Sequence, residues 1–360
     1  MRDTVTLNTM PRPKRPTKPI PINLALQGGG SHGAFTWGVL DRLLDDESLA
    51  FAGISGTSAG ALNAAVLATG LAEGGRVGAQ AALRAFWLDV AAQGGCFGHW
   101  PTLAGGGLAG YNLDSNPFYA WSNQFLRAFS PYQFNVLGDN ALRPVLGRHV
   151  RMDALRAGTL KLFITATAVR TGHARVFRRV DLSIDALLAS ACLPQLFRAV
   201  EIDGEPYWDG GYSGNPALWP MTYNTDALDL VLVKINALVR PDLPDTPEEI
   251  SDRVNEITFN AGLIGEMRAI AFVQKLVEQG RLEPDEYKSL RLHMVADDAG
   301  LAPLHPSSKL NTSREFLEAL HALGHAAAER WLLLHRAAVG KKSSLDVKAA
   351  FLSAHPRVRD

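Results

Sequence analysis

Apolar residues along the chain fall into short, dense runs and longer periodic stretches, and the two kinds alternate. Residues 22–27, Ile-Asn-Leu-Ala-Leu-Gln, are too short for a helix and end at three glycines, which predicts a buried strand. Residues 34–44 follow with Phe35, Val39 and Leu43 on one side, which predicts a helix. A second apolar run at 51–54, a tight turn at 56–60 and a helix at 61–71 repeat the pattern. Strand, helix, strand, helix in that order predicts a parallel sheet with helices on its flanks. Further strands are expected at 160–168, 174–177, 228–235 and 290–295, with a hairpin pairing 200–202 and 206–208. Helices are expected at 184–191, 248–279 and 313–338, with a loop at 241–247.

No internal repeat or linker breaks this series, so residues 22–340 read as one domain. The first 21 residues form a basic arm in which prolines at 11, 13, 16, 19 and 21 exclude a helix. Between 97 and 147 the pattern loses its period and fills with glycine and aromatics, among them Trp100, Tyr111, Phe118, Tyr119, Trp121, Phe125, Phe129 and Tyr132. That insertion reads equally as an apolar lid or as a packed peripheral subdomain. Residues 241–340 form a helix-rich C-terminal extension, and 341–360, with Lys341, Lys342, Arg357 and Arg359, read as a loosely held tail.

Composition narrows the function classes. The 360 residues carry 36 Lys+Arg against 36 Asp+Glu, so the overall basic charge of a nucleic-acid binder is missing and no nucleic-acid partner is expected. Two cysteines, Cys96 and Cys192, cannot build a disulfide framework, and no Cys/His cluster has metal-ligand spacing, so no metal is expected. The apolar stretch at 59–71 is broken by Gly60, Asn63 and Gly70, which leaves no segment long enough to span a bilayer. A cytoplasmic protein is expected, peripheral at a membrane at most. Arg12, Lys14, Arg15 and Lys18 of the arm are either a solvated tail or a transient contact for an anionic lipid surface.

Three glycine-framed segments hold the candidate chemistry. Gly28-Gly29-Gly30-Ser31-His32-Gly33 matches the dinucleotide fingerprint in its letters, but that reading needs an acidic residue at the end of the second strand. The strand runs instead into Gly56-Thr57-Ser58-Ala59-Gly60, so no cofactor is expected. This second segment, between a strand and a helix, has the form of a nucleophile elbow with Ser58 exposed at a helix N-terminus. Unshielded amides at Gly28, Gly29 and Gly30 would then supply an oxyanion hole; the alternative is a plain strand-to-helix turn. A base must activate the serine. His293, His305, His321, His325 and His335 lie late enough in the chain, yet none sits in a glycine-rich loop, and His321 and His325 read as one helix face. Asp209, in Tyr207-Trp208-Asp209-Gly210-Gly211-Tyr212, is the stronger candidate and can serve directly if it lies within ~3 Å of the hydroxyl, although composition alone favours an Asp-Gly turn closing the hairpin.

With these segments the chain resembles the patatin-like phospholipase family. The resemblance rests on the glycine-rich segment from Gly28 to Gly33, the elbow from Gly56 to Gly60 and Asp209-Gly210-Gly211, with Ala189-Ser190-Ala191-Cys192-Leu193-Pro194 before the aspartate. It covers roughly residues 22–220. It implies a three-layer α/β/α sandwich with a mainly parallel sheet, and a Ser–Asp dyad without a catalytic histidine. By the same resemblance Ser58 is the nucleophile and Asp209 the general base and acid. Gly28, Gly29 and Gly30 form the oxyanion hole with the Ala59 amide as a further donor, and Gly33, Gly56, Gly60, Gly210 and Gly211 shape the turns. The implied substrate is a lipid or other carboxylic ester. Many members carry Arg or Lys where this chain has His32, which implies a weaker fixed charge beside the hole. Residues 253–260 look like the extra C-terminal part of a bacterial subgroup, where Asn255, Glu256 and Asn260 read as packing and capping residues. The rival readings are a short ester, thioester or polyester substrate, acyl transfer to another acceptor, and a lipid-binding scaffold without turnover.

Overall fold

The computed structural model describes residues 18–94, 107–135, 137–283 and 287–353. The arm up to residue 17, Cys96, residues 97–106 with Trp100, and the last residues of the tail lie outside it.

In chain order the regular elements are β1 (Ile20–Leu26), α1 (Gly33–Leu44), β2 (Leu49–Thr57), α2 (Ala59–Gln93), α3 (Pro117–Ala128), α4 (Pro131–Phe134), α5 (Leu142–His149) and α6 (Met152–Ala157). They continue with β3 (Lys161–Ala168), β4 (Ala174–Arg178), α7 (Ile184–Ser190), β5 (Val200–Ile202), β6 (Glu205–Asp209), α8 (Trp219–Asn224) and β7 (Asp229–Val233). The chain then forms α9 (Pro247–Glu278), β8 (Arg291–Val295), α10 (Asp298–Leu301) and α11 (Arg314–His335). One eight-stranded sheet runs in the order β5-β6-β3-β2-β1-β7-β8, with β4 on β3. The pairs among β3, β2, β1, β7 and β8 are parallel, and the hairpin strands β4, β5 and β6 add antiparallel pairs.

Strand side chains alternate between faces, and the two faces hold two separate cores. Leu24, Leu26, Ile164, Val231 and Val233 point into a core closed by α1, α2, α7 and α11. Ala25, Phe163, Leu230 and Leu232 point the other way, against Leu218 and Met221 of α8 and Leu263 and Met267 of α9. This is the expected three-layer sandwich. β-strands buried on both faces read as unbroken apolar runs, which is why periodicity found them.

The edge of β3 positions the site. Residues 161–165 of β3 pair with β2, residues 166–168 pair with β6, and β4 covers 163–167. A strand residue has only two edges, so β6 takes up the edge of β3 where β2 leaves it. The last residue of β6, Asp209, thereby arrives beside the turn that follows Thr57.

Three segments differ from the sequence reading. The helix expected at 61–71 begins at Ala59 and continues to Gln93, interrupted at Gly74 and Gly75. Past the break Ala79, Leu83, Phe86 and Trp87 are buried at helical spacing, a pattern the glycine pair obscures. The described part of the 97–147 insertion is helical rather than irregular. Asn116 caps α3 by accepting from the Phe118 and Tyr119 amides, and Ser130 with Gln133 forms a capping box on α4. The Asn-Pro and Ser-Pro steps in the sequence are the signals for both starts. Third, the expected loose tail is docked as far as it is described. Ser344 and Leu345 donate backbone hydrogen bonds to Leu292 of β8, and Val347 and Phe351 enter the second core.

Candidate active site

Ser58 stands between β2 and α2 with φ 54° and ψ −126°, a left-handed conformation that costs a non-glycine residue about 1–3 kcal/mol. Two neighbours lock the turn. The Ser58 amide donates to Ser190 Oγ at 3.0 Å, and Ser190 Oγ donates to the Thr165 carbonyl at 2.6 Å. Gly60 lies so close to the Leu26 carbonyl that no Cβ fits, and Gly56 packs on the Gly60 carbonyl in turn. A Cβ on Gly28 would sit 2.5 Å from Ser58 Cβ, so the glycine-rich loop is pressed against the nucleophile candidate. Gly33, at the head of α1, packs on Ala59. Asn63 joins the two helix starts by donating to the Gly33 carbonyl at 2.9 Å while accepting from Trp87 Nε1.

Asp209 is fully buried. Its Oδ1 accepts from the Gly211 amide at 2.7 Å, and its backbone is held by the Cys192 carbonyl and the Thr167 hydroxyl, each at 2.8 Å. Gly210 lies against the Thr165 carbonyl and Gly211 beneath the Phe259 ring of α9, which keeps this turn flat against the sheet end. Burial pushes the Asp209 carboxyl up to about 7, only partly countered by the Gly211 amide, the Ser58 hydroxyl and the charge of Lys309. The Ser58 hydroxyl is thus near enough to favour the carboxylate, although among the described residues no group meets Oδ2 with full hydrogen-bond geometry. Loose contacts of this kind are common before substrate arrives.

The glycine-rich loop brings a correction. The Gly28 amide donates to Asn215 Oδ1 at 2.6 Å, so it is occupied and does not serve as a free oxyanion donor. Asn236 Nδ2 holds the Gly28 carbonyl at 2.7 Å, and Gln27 Oε1 accepts from the amides of Ile235 and Asn236 at 2.8 and 3.0 Å. The Gly29 and Gly30 amides meet no acceptor among the described residues. Neither does that of Ala59, the first residue of α2, where helical geometry leaves the amide without an internal partner.

His32 is buried and neutral. Burial first, then the charges of Lys309 and Arg240, hold it well below the usual histidine range. Its Nε2 meets Ser308 Oγ at 2.7 Å, and because Ser308 donates its one proton to the His305 carbonyl, His32 is the donor. The cation beside the loop is Lys309. Its ammonium donates to Asn236 Oδ1 at 3.0 Å, and its carbonyl lies where a Gly30 side chain would begin. Sequence reasoning passed over Lys309, Asn215 and Asn236, and saw Ser190 only as part of a resemblance, because only the fold brings these residues to the turn.

Three of the late histidines have partners other than Ser58. His293 is buried between Asp229 and Ser344, His305 contacts Asp114, and His321 contacts Asp41. Glu256 joins Arg240 and Arg253 in ion pairs, and Asn260 donates to the Ala237 carbonyl. Cys192 accompanies Asp209 as an inert thiol, pushed up to about 12 by burial and by the carboxylate. Clefts of about 500 and 530 Å³, around Arg175 and Trp219 and around Phe51 and Arg76, include none of these groups.

Comparison with curated proteins gave no match. Among solved structures, VipD from Legionella pneumophila aligns at TM-score 0.37 and 13% identity, over 85% of this chain and 67% of that one. ExoU of Pseudomonas aeruginosa, solved in complex with SpcU, aligns at TM-score 0.31 and 16% identity, over 87% of this chain. The alignment spans 53% of that ExoU chain, about half its length. Likenesses this distant carry no argument about mechanism. A family model described as patatin-like phospholipase matches residues 24–221, more than half of the chain and every segment that frames Ser58 and Asp209. The chain belongs to the patatin-like phospholipase family.

Proposed function

We propose that the protein hydrolyses carboxylic esters of lipids through a Ser58–Asp209 dyad and an acyl-enzyme. Family membership supports lipid-ester hydrolysis in general, and one observation carries the finer reading. Ser58 sits strained at a helix N-terminus beside a buried carboxyl raised to about 7, the range a general base needs at neutral pH. Asp209 takes the Ser58 proton as Oγ attacks the ester carbonyl carbon. The oxyanion receives hydrogen bonds from the Gly29, Gly30 and Ala59 amides, each such donor being worth about 3 kcal/mol in the transition state. Collapse breaks the ester C–O bond, and Asp209 returns its proton to the departing alcohol. Water, deprotonated by Asp209, then attacks the acyl-enzyme carbonyl; the bond to Ser58 Oγ breaks, Asp209 returns the proton to that oxygen, and the fatty acid leaves.

The aromatic insertion supports a lipid substrate. Phe118, Trp121, Phe129, Tyr132 and Phe134 remain exposed on and around α3 and α4, with Trp121 at 61%. Such a patch suits contact with a lipid surface. No helix among the described residues is long and apolar enough to cross a membrane, so this contact is peripheral. Ser58→Ala is expected to abolish both ester turnover and labelling by a fluorophosphonate probe while the thermal transition is kept. Turnover retained in that variant would overturn the dyad.

A further inference from the structure

The matched family region ends at residue 221, yet the glycine-rich loop is gripped by residues far beyond it. The segment 305–310 lies along the loop and touches it twice. Ser308 holds His32, and Lys309 places its backbone against Gly30 and its ammonium on Asn236 Oδ1. Asn236 Oδ1 lies 3.5 Å from where a Gly29 Cβ would stand, so the ammonium lies one atom away from the loop whose amides are free. The same stretch clasps the start of the aromatic insertion. Ser307 Oγ accepts from the Leu113 amide at 3.0 Å, and Asn311 donates to the Tyr111 carbonyl at 2.9 Å.

The state of Lys309 is unusual for a lysine in dense surroundings. An ammonium has three donors, and among the described residues one is used here, on a neutral amide. Among the described residues no carboxylate forms an ion pair with it; Glu256, Asp252 and Asp209 favour its charge only through space, and Glu256 is already shared by Arg240 and Arg253. By area the residue is only partly covered, while its surroundings are dense enough for burial to lower its pKa. With one ammonium donor engaged, two remain beside the glycine-rich loop for a ligand, counted among the described residues. A cation so placed is stabilised by an incoming anion.

We propose that Lys309 is a specificity-determining residue that receives a phosphate of the substrate, a few bonds from the scissile ester, so that phospholipids are preferred over neutral acylglycerols. This rests on the hydrolase reading above. Lys309 does not touch the reacting carbonyl; it fixes the head-group end while the free amides take the oxyanion. The C-terminal extension thereby completes the substrate site of the family core.

The test compares phosphatidylcholine with diacylglycerol of the same acyl chains, diluted in neutral detergent micelles. In Lys309→Met the ratio of kcat/KM for the two substrates is expected to fall roughly 10- to 100-fold, the scale of one charge-assisted contact, and Lys309→Arg is expected to recover most of it. An unchanged ratio would overturn the proposal and leave the dyad standing, whereas absence of turnover in the wild type would overturn the hydrolase reading itself. A second arm needs no variant. Turnover of a small soluble ester by the wild type should be inhibited by sn-glycerol 3-phosphate, not by glycerol, and only weakly by inorganic phosphate. Equal inhibition by inorganic phosphate would indicate an anion site unrelated to the head group and overturn the assignment, as would no inhibition by either phosphate.

Discussion

Ser58 and Asp209 both occupy conditions their side chains resist, and the cost of each is measurable. The left-handed backbone at Ser58 suits glycine. Ser58→Gly is expected to eliminate turnover and to raise stability by about 1 kcal/mol, read as a higher denaturant midpoint. Asp209 titrates about 7 in the folded chain against a usual value of 3.8. Because the base must be ionised, the acid limb of the kcat/KM profile should bend about pH 7 rather than near 4. The sign for stability is opposite. Between these values the folded chain holds a proton that the unfolded chain has lost, so this residue makes stability fall as pH rises from 4 to 7. Asp209→Asn should therefore be inactive yet gain a few degrees in Tm at pH 8, measured against the wild type. At this scale the proposed nucleophile was legible, because an elbow is a local pattern. The proposed base was not legible from composition, since Asp-Gly also closes hairpins and it is burial that supports the second reading.

The elements around the turn convert these residues into a fixed geometry. Ser190, the last residue of α7, ties the Ser58 amide to the Thr165 carbonyl of β3, so one hydroxyl joins a helix, a strand and the elbow. Ser190→Ala leaves a buried amide and a carbonyl unpaired, which should cost about 1–3 kcal/mol in stability. It should also lower kcat roughly 10-fold or more with KM little changed, because the hydroxyl positions the nucleophile without meeting substrate. Steady-state kinetics with a soluble ester separates this from a purely structural role, in which activity per folded molecule would be kept. The Ser190 segment was visible in the sequence as part of a resemblance. Its physical task was not, since a hydroxyl bridging residues 58 and 165 has no signature in local spacing. The helices of the insertion were missed although their signals are local: they start at Asn-Pro and Ser-Pro caps, and Phe118, Trp121, Phe125 and Phe129 stack at helical spacing along and just past α3.

Across the whole molecule the sheet separates chemistry from support. The carboxyl ends of β1 and β2 carry the loops to Gly30 and Ser58, while the opposite ends of β7 and β8 hold a buried cluster around Asp229. Burial alone would raise that carboxyl, but hydrogen bonds from His293, Arg291 and the Gly340 amide outweigh it and hold Asp229 at about 2. Its stabilisation is present above the unfolded value of 3.8 and is lost as pH falls through about 2. Asp229→Ala should cost about 3 kcal/mol and flatten acid unfolding in this range, with kcat per folded molecule unchanged. Chemical denaturation between pH 2 and 7 reads both. The sequence by itself determined the strands buried on two faces, the elbow and the glycine-rich loop, because each is encoded within a few consecutive residues by apolar runs or by the absence of side chains. Tertiary structure alone decided which loop amides stay free, since Asn215 lies 187 residues from the Gly28 amide it occupies. It alone brought Asp209 to Ser58, by letting β6 take over the edge of β3 where β2 ends. And it alone delivered Lys309 to the loop, a contact across more than 270 residues that no local pattern can announce, because burial and charge compensation are properties of the packed chain.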